Sequence, residues 1–322
     1  MFPTIHGILA ASETVATYQV ITAGAATHTI NSLGLSAATL VDWGDGSTST
    51  LSGTALRTHS YAGAGTWTVT IYLPENVTRF DMRDSKAVIT TATLPINNVV
   101  TFIITALNAA SVIDTSHMTS WSSITSWQCY SLPSGGTYSI DTSHMVNWSS
   151  ITTWYCLLLP SGGTYSIDTS HMVNWSSITT WLCYSLPSGG TYNIDTSNMT
   201  SWSLIATWLC YSLPSGSITN VAQNGFANFT KCVNFRFDSN SLSQSDVDTA
   251  LWSLYQATTA PRTVSGGTIN IGGSNAAPSG TFQAASACPV TVATDGKEVA
   301  YELLNDSCGA GFNKWSTVTI TT

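Results

Sequence analysis

Three Asp-x-x-His pairs recur at an interval of 27 residues: Asp114 with His117, Asp141 with His144, and Asp168 with His171. A carboxylate and an imidazole at fixed spacing in stacked units are the residue types that bind a transition metal or titrate together near neutral pH. The fourth unit keeps Asp195 but has Asn198 in the histidine position. That exchange favours a plainer reading, in which Asp caps a turn and the third residue after it is a surface polar group. Carboxylates stacked about 4.8 Å apart would be equivalents of one another, not the differently tuned pair that acid/base catalysis needs. No Gly-x-Ser-x-Gly turn marks a nucleophile. The expectation is therefore no catalytic residue, no metal site and no cofactor.

Two sets of tryptophans repeat at the same interval. Trp121, Trp148, Trp175 and Trp202 would be an exposed aromatic platform for carbohydrate if they face outward, with His117, His144 and His171 as further binding residues; fixed spacing from inward residues favours core positions, and the platform stands as the candidate binding site. Trp127, Trp154, Trp181 and Trp208 each precede a cysteine by two residues, at Cys129, Cys156, Cys183 and Cys210. A period of two places both side chains on one face of a short strand. Stacked coils would turn them into a structural ladder of indoles and thiols in a parallel sheet. Seven cysteines is an odd number, and four at one repeat position argue for buried thiols rather than a disulfide framework. Cys288 and Cys308 are the two that could pair.

The repeat positions these side chains. Residues 137–163 and 164–190 are identical except at Tyr155/Leu182, Leu157/Tyr184 and Leu158/Ser185, so they must form near-identical coils. Pro133, Pro160, Pro187 and Pro214, each followed by Ser-Gly, end the strands and open the bends. After Leu242, Ser-Gln-Ser-Asp-Val-Asp leads into Val247, Leu251 and Leu254, a capped amphipathic helix near 244–256 that closes the solenoid. The tail from Gly280 reads as loop with a last strand near residues 315–320.

Phe229, Cys232, Phe235, Phe237, Asn240 and Leu242 resemble the leucine-rich-repeat pattern, with Phe and Cys replacing Leu. A shift of 27 places Phe235 on Trp208, so the Trp-Cys coils resemble divergent members of that repeat. Leu213 stands where the family has its asparagine, which puts the asparagine ladder of the middle coils in question. Residues 41–71 contain Asp42-Trp-Gly-Asp-Gly, His59-Ser-Tyr61 and the alternating run Gly65 to Ile71. This resembles the polycystic-kidney-disease (PKD) type of Ig-like domain, and the resemblance implies a spacer or adhesion module. Asp42 and Asp45 would then be turn formers or, as in some such domains, calcium ligands. The fold expected is mainly β: an N-terminal segment and Ig-like β-sandwich over 1–74, a leucine-rich-repeat-like β-solenoid with one capping helix over 75–280, and a tail over 281–322. Residues 1–12 would pair elsewhere or attach the chain to a partner.

Composition limits the function classes. Charged residues make up 8% of the chain against a usual value of about 25%, so Ser, Thr and Asn must cover the surface. The formal charge is -8, and no Lys or Arg lies between Lys86 and Lys231; nucleic-acid binding has no electrostatic footing. No apolar run is long enough to span a membrane, and no secretion signal is recognised. The pairing of a PKD-like region with leucine-rich-repeat-like coils, together with the runs Asn275-Ala-Ala-Pro-Ser-Gly and Gly311-Phe-Asn-Lys-Trp315, resembles bacteriophage virion proteins. The resemblance implies a structural protein of the particle, assembled in the host cytoplasm, acting as tail fibre or head decoration. Its partners would be other virion proteins, a host-surface glycan or protein, or further copies of itself. A bacterial leucine-rich-repeat surface adhesin is the alternative, and a carbohydrate-active enzyme the third reading.

Overall fold

The computed structural model describes residues 14–259, 262–282, 295–308 and 313–322; the expectations for residues 1–12, for Cys288 and for Gly311 lie outside them. The chain is mainly β and is dominated by a long sheet of repeated strands. The alternating Trp-x-Cys segments form parallel strands, Ser126–Tyr130, Thr153–Leu157, Thr180–Tyr184 and Thr207–Tyr211. They pair so that Trp127, Trp154, Trp181 and Trp208 are direct neighbours. Phe235 follows Trp208 in the same row, then Ile269 and Val318.

Each coil also contributes a second strand. Thr137–Asp141, Thr164–Asp168 and Thr191–Asp195 belong to a five-stranded parallel sheet opposite the first. Its inward residues are Tyr138 and Ile140 with their counterparts Tyr165, Ile167, Tyr192 and Ile194, all buried. The period-two signal Tyr-x-Ile is plain in the sequence, but the strand reading rested on Trp-x-Cys alone. The bend that joins the sheets explains its glycines. Gly162 has φ of 96°, which favours glycine. A side chain on Gly163 would collide with the Tyr165 hydroxyl, which donates to the Pro160 carbonyl at 2.9 Å.

The N-terminal strands are joined to the solenoid through the same sheet. Strand β1 (Val15–Thr22) pairs antiparallel with β4 (Gly65–Tyr72), and the long β2 (Ala26–Asp42) pairs with β3 (Thr48–Tyr61) and with β4. Strand β2 also pairs antiparallel with β5 (Val77–Met82), whose other edge opens the parallel ladder at Thr101–Ile104. Strand β1 also pairs with β6 (Ala87–Val88), still within the long sheet, and from β6 the chain continues to a bridge between Thr90 and Val112 at the edge of the second sheet. The N-terminal strands thus cover both sheet edges, as the end of a solenoid requires.

A buried polar cluster fixes this junction. His28 shares hydrogen bonds with the Tyr18 hydroxyl through Nε2 and with Asp84 Oδ2 through Nδ1, both at 2.9 Å. Asp84 also accepts the Thr29 N–H and faces the Lys86 ammonium at 2.7 Å. Burial alone would raise the Asp84 carboxyl, but the bonds from His28, Lys86 and Thr29 outweigh it and hold the group well below the usual carboxylate range.

At the far end, helix α1 (Gln244–Thr259) lies where the capping helix is expected. Ser243 Oγ accepts the Asp246 N–H, and Asp246 Oδ2 accepts the Ser243 hydroxyl. Val247, Leu251 and Leu254 are fully buried. A second helix, α2 (Gly296–Asn305), corrects the expectation of a single helix and a loop-like tail. It packs on α1, and its Glu302 is buried and accepts the Cys308 N–H. The last strand, Thr317–Thr319, lies within the segment expected. Cys308 is held in a disulfide. Arg262, 2% exposed, staples this end: its guanidinium donates to the carbonyls of Asn313, Lys314, Cys232 and Gly266 and lies 3.9 Å from the Trp315 ring centroid.

A carboxyl with a depressed folded-state pKa contributes stability above its unfolded pKa and loses it as pH falls. Asp84→Asn is therefore expected to lower the urea midpoint at neutral pH and to flatten its fall between about pH 7 and pH 3. Equilibrium unfolding at the two pH values checks this; equal acid sensitivity in both proteins would remove Asp84 from the account.

Candidate functional site

The aspartates that open the repeats act on their own backbone. Asp114, Asp141, Asp168 and Asp195 each precede a short 3-10 turn and accept the N–H of the residue two ahead, at 2.8 to 2.9 Å. Burial would raise Asp114 and Asp168, but the bonds from Ser116 and Ser170 outweigh it and lower both. Each carboxylate is thus committed to the same cap in every coil.

The threonine after each aspartate links the coils. Thr115, Thr142, Thr169 and Thr196 are completely buried. Thr115 Oγ1 donates to the Asp141 carbonyl at 3.0 Å and accepts the Asp141 N–H at 2.9 Å. Thr142 and Thr169 repeat both bonds with Asp168 and Asp195, and Thr91 does so with Asp114. This threonine column ties neighbouring coils in the middle of the solenoid. At the C-terminal end asparagines take over this part: Asn240 Nδ2 donates to the Cys210 and Phe237 carbonyls and Asn275 Nδ2 to those of Phe237 and Ile271. The buried threonines escaped the sequence reading because Ser and Thr are everywhere in this chain; an invariant Thr at one repeat position was the available signal.

The histidines follow from this column. His144 Nδ1 lies 3.4 Å from Thr115 Oγ1, and His171 Nδ1 the same distance from Thr142 Oγ1. Those hydroxyls already donate to carbonyls, so a hydrogen bond at these contacts requires Nδ1 as the donor. Asn198 places Nδ2, also a donor, 3.3 Å from Thr169 Oγ1, which explains how Asn replaces His in the fourth coil. His117, at the start of the column, is exposed and stands 3.9 Å from Asp114 Oδ2. No group of three metal-ligating side chains converges among the described residues.

The tryptophan platform is corrected by the structure. Trp121, Trp148, Trp175 and Trp202 are 0–1% exposed, so they offer no surface to a ligand. They stack 6.4 to 6.5 Å apart, and the indole N–H of Trp148, Trp175 and Trp202 points to the carbonyl of Met118, Met145 and Met172. Trp127, Trp154, Trp181 and Trp208 form a second stack 5.6 to 5.7 Å apart. Cys129, Cys156, Cys183 and Cys210 are equally buried, and burial pushes each thiol up. Such thiols are inert at neutral pH.

In the N-terminal unit the structure brings the residues of the PKD-like pattern together. The Trp43 indole stacks on His59 at 4.8 Å, and the Tyr61 hydroxyl donates to the Trp43 carbonyl at 2.9 Å. Asp42 accepts the Gly44 N–H, and Asp45 accepts from Ser47 and bonds His59. Partial burial pushes the Asp45 carboxyl up, but the bonds from Ser47 and His59 outweigh it and lower it to about 2. Both carboxylates hold their turn.

What faces solvent across the middle coils is the outer side of the long sheet. There the residues alternating with Trp and Cys form three rows. One is Ser126, Thr153, Thr180 and Thr207; the next is Gln128, Tyr155, Leu182 and Leu209; the third is Tyr130, Leu157, Tyr184 and Tyr211. Tyr184 and Tyr211 stack at 4.4 Å, and the Arg236 guanidinium lies 3.6 Å from the Tyr211 ring centroid. Arg236 is itself paired with Asp238 at 2.9 Å. The sequence signal for these rows is the same alternation: what marks Trp and Cys as inward marks the residues between them as outward.

No family model, curated protein or solved structure matches the chain.

Thr142→Val removes the bonds that buried Thr142 makes to both the N–H and the carbonyl of Asp168, and is expected to cost about 1–3 kcal/mol in chemical denaturation. His171→Asn copies the fourth coil and is expected to stay within about 0.5 kcal/mol of the parent. Reversed magnitudes would show that the histidines, not the threonines, link the coils.

Proposed function

We propose that the protein is a non-enzymatic structural protein of a bacteriophage particle, displayed on the particle surface as a tail-fibre or head-decoration element that attaches to a host glycan or protein. The observation that carries the reading is how the polar side chains are used. The repeated carboxylates cap turns, His144 and His171 lie against threonines, and the thiols are buried, so of these repeated groups only His117 stands exposed outside the network. What remains for the outside is an almost uncharged face of Tyr, Ser, Thr and Leu, a composition suited to hydrogen bonding and apolar contact rather than electrostatic capture. The repetition of the coils suits avidity through several weak contacts.

Two finer readings belong with this proposal. The 27-residue unit is taken as a divergent leucine-rich repeat, supported by the asparagine bonds at Asn240 and Asn275. Residues 41–71 are taken as a PKD-like module, supported by the contacts among Trp43, His59 and Tyr61; here it would serve as an end cap as well as a spacer. The resemblance of the whole to phage virion proteins supplies the biological setting.

Mass spectrometry of particles released from the source culture, with cryo-electron microscopy of the same particles, tests the proposal. The chain is expected in fixed stoichiometry on heads or tails. Recovery only from cell envelopes would overturn it in favour of a bacterial surface adhesin.

A further inference from the structure

Residues 137–163 and 164–190 differ at three positions only, and all three fall on or beside the outer face of the long sheet. Tyr155 pairs with Leu182, and Leu157 with Tyr184. The exposed turn residues of the two coils are identical: Val146 and Val173, Ser149 and Ser176, Ser161 and Ser188. Random drift at solvent-facing positions would touch those turns as readily as the sheet face. Instead, a tyrosine and a leucine have exchanged places along one strand. The outer volume of each coil is conserved, but its distribution is reversed. Leu157 is a hollow, 5% exposed between Tyr130 and Tyr184 in its row, where Tyr184 is a knob in the next coil.

From this pattern we infer that the outer face of the long sheet is a homodimer interface, formed with a second copy of the chain about a two-fold axis parallel to the strands and midway between Thr153–Leu157 and Thr180–Tyr184. Such an axis makes the contact isologous. It sets Tyr155 over Leu182 of the second copy and Leu157 over that copy's Tyr184, so at these two central positions a tyrosine meets a leucine. It sets Thr153 over Thr180, hydroxyl to hydroxyl, and Tyr130 over Tyr211. The charges are compatible as well: Arg236 falls over Ile103, Asp81 over Asn270 and Arg79 over Thr268, and no like charges meet. The rows that define these positions are continuous from Asp81 to Asn270.

Leu158 adds an independent observation. It is 49% exposed and sits at φ of 51°, where the other coils have Ser131, Ser185 and Ser212 in the same conformation. A branched apolar side chain in the left-handed region, facing water, is unfavourable on both counts. Contact with the second copy across Ser185 removes the second penalty. Six strands from Thr101–Ile104 to Asn234–Arg236, spaced about 4.8 Å and about 16 Å long, project about 450 Å² per copy, a total just below the roughly 1,000 Å² of a stable specific pair and in the range of weak, transient ones. The dimer is therefore a reversible, concentration-dependent one.

Sedimentation equilibrium of the full chain, at protein concentrations up to roughly 1 mM, tests the inference. The parent protein is expected to show a monomer–dimer equilibrium. Tyr155→Leu with Leu157→Tyr gives coil two the strand-face residues of coil three, a combination already accommodated in this fold, and is expected to raise the dissociation constant by about tenfold or more. Adding Leu182→Tyr and Tyr184→Leu reverses both coils and restores knob against hollow; the fourfold variant is expected within about threefold of the parent. Circular dichroism and thermal melting establish that all three proteins are folded. A parent that stays monomeric throughout, a double variant that dimerises as well as the parent, or a fourfold variant no better than the double one would each overturn the interface.

Discussion

Parallel, in-register stacking of identical residues governs this molecule. Once Trp154 lies beside Trp127 and Trp181, Cys156 also lies beside Cys129 and Cys183, so the inward residues of the strand stack on their own kind. A slip of one residue would turn the indoles to water and the outer residues into the core. Burying an indole is worth about 4 to 6 kcal/mol as an upper bound, and each coil buries two. No other contact in the coil approaches that value, so the indoles set the register and the smaller interactions refine it.

The polar groups follow from that choice. Parallel coils leave the backbone at each bend in need of partners, and a buried N–H or carbonyl without one is costly. One hydroxyl per coil, donating to a carbonyl and accepting an N–H, meets both needs at Thr115, Thr142 and Thr169. The aspartate caps the turn that begins at the same bend, and the histidine or asparagine three residues on reaches back to the threonine of the coil before. A motif with the residue types of a metal or acid/base site is consumed in joining one coil to the next. The two ends need different devices because no identical coil follows: antiparallel strands cover the first, and two helices with a buried arginine close the last.

The outer face carries what the core leaves free. With the apolar and polar requirements of folding met inside and at the bends, the alternate residues of the long sheet can vary without loss of register. They do vary, and in an organised way, between coils that are otherwise the same. That separation of a fixed inner row from an adjustable outer row is what allows a repeat to acquire a binding face while keeping its fold.

Several features were legible in the sequence alone: the coil, its Trp-Cys strand, the pairing of Phe235 with Trp208, and the helix that begins after Ser243. Each depends on periodicity or on a cap, which are local and repeat often enough to stand out from a Ser/Thr-rich background. The second sheet was equally periodic at Tyr138 and Ile140, but two short inward residues are a weak signal beside two indoles. The tertiary structure alone decided that Trp121, Trp148, Trp175 and Trp202 face the core, because a repeat fixes spacing and not direction. It alone revealed the buried threonines, whose partners lie 26 residues away, and the helix Gly296–Asn305, which depends on packing against α1. It alone joined the N-terminal strands to both sheets, since pairing such as that of β2 with β5 depends on which edges are left open once the coils have stacked.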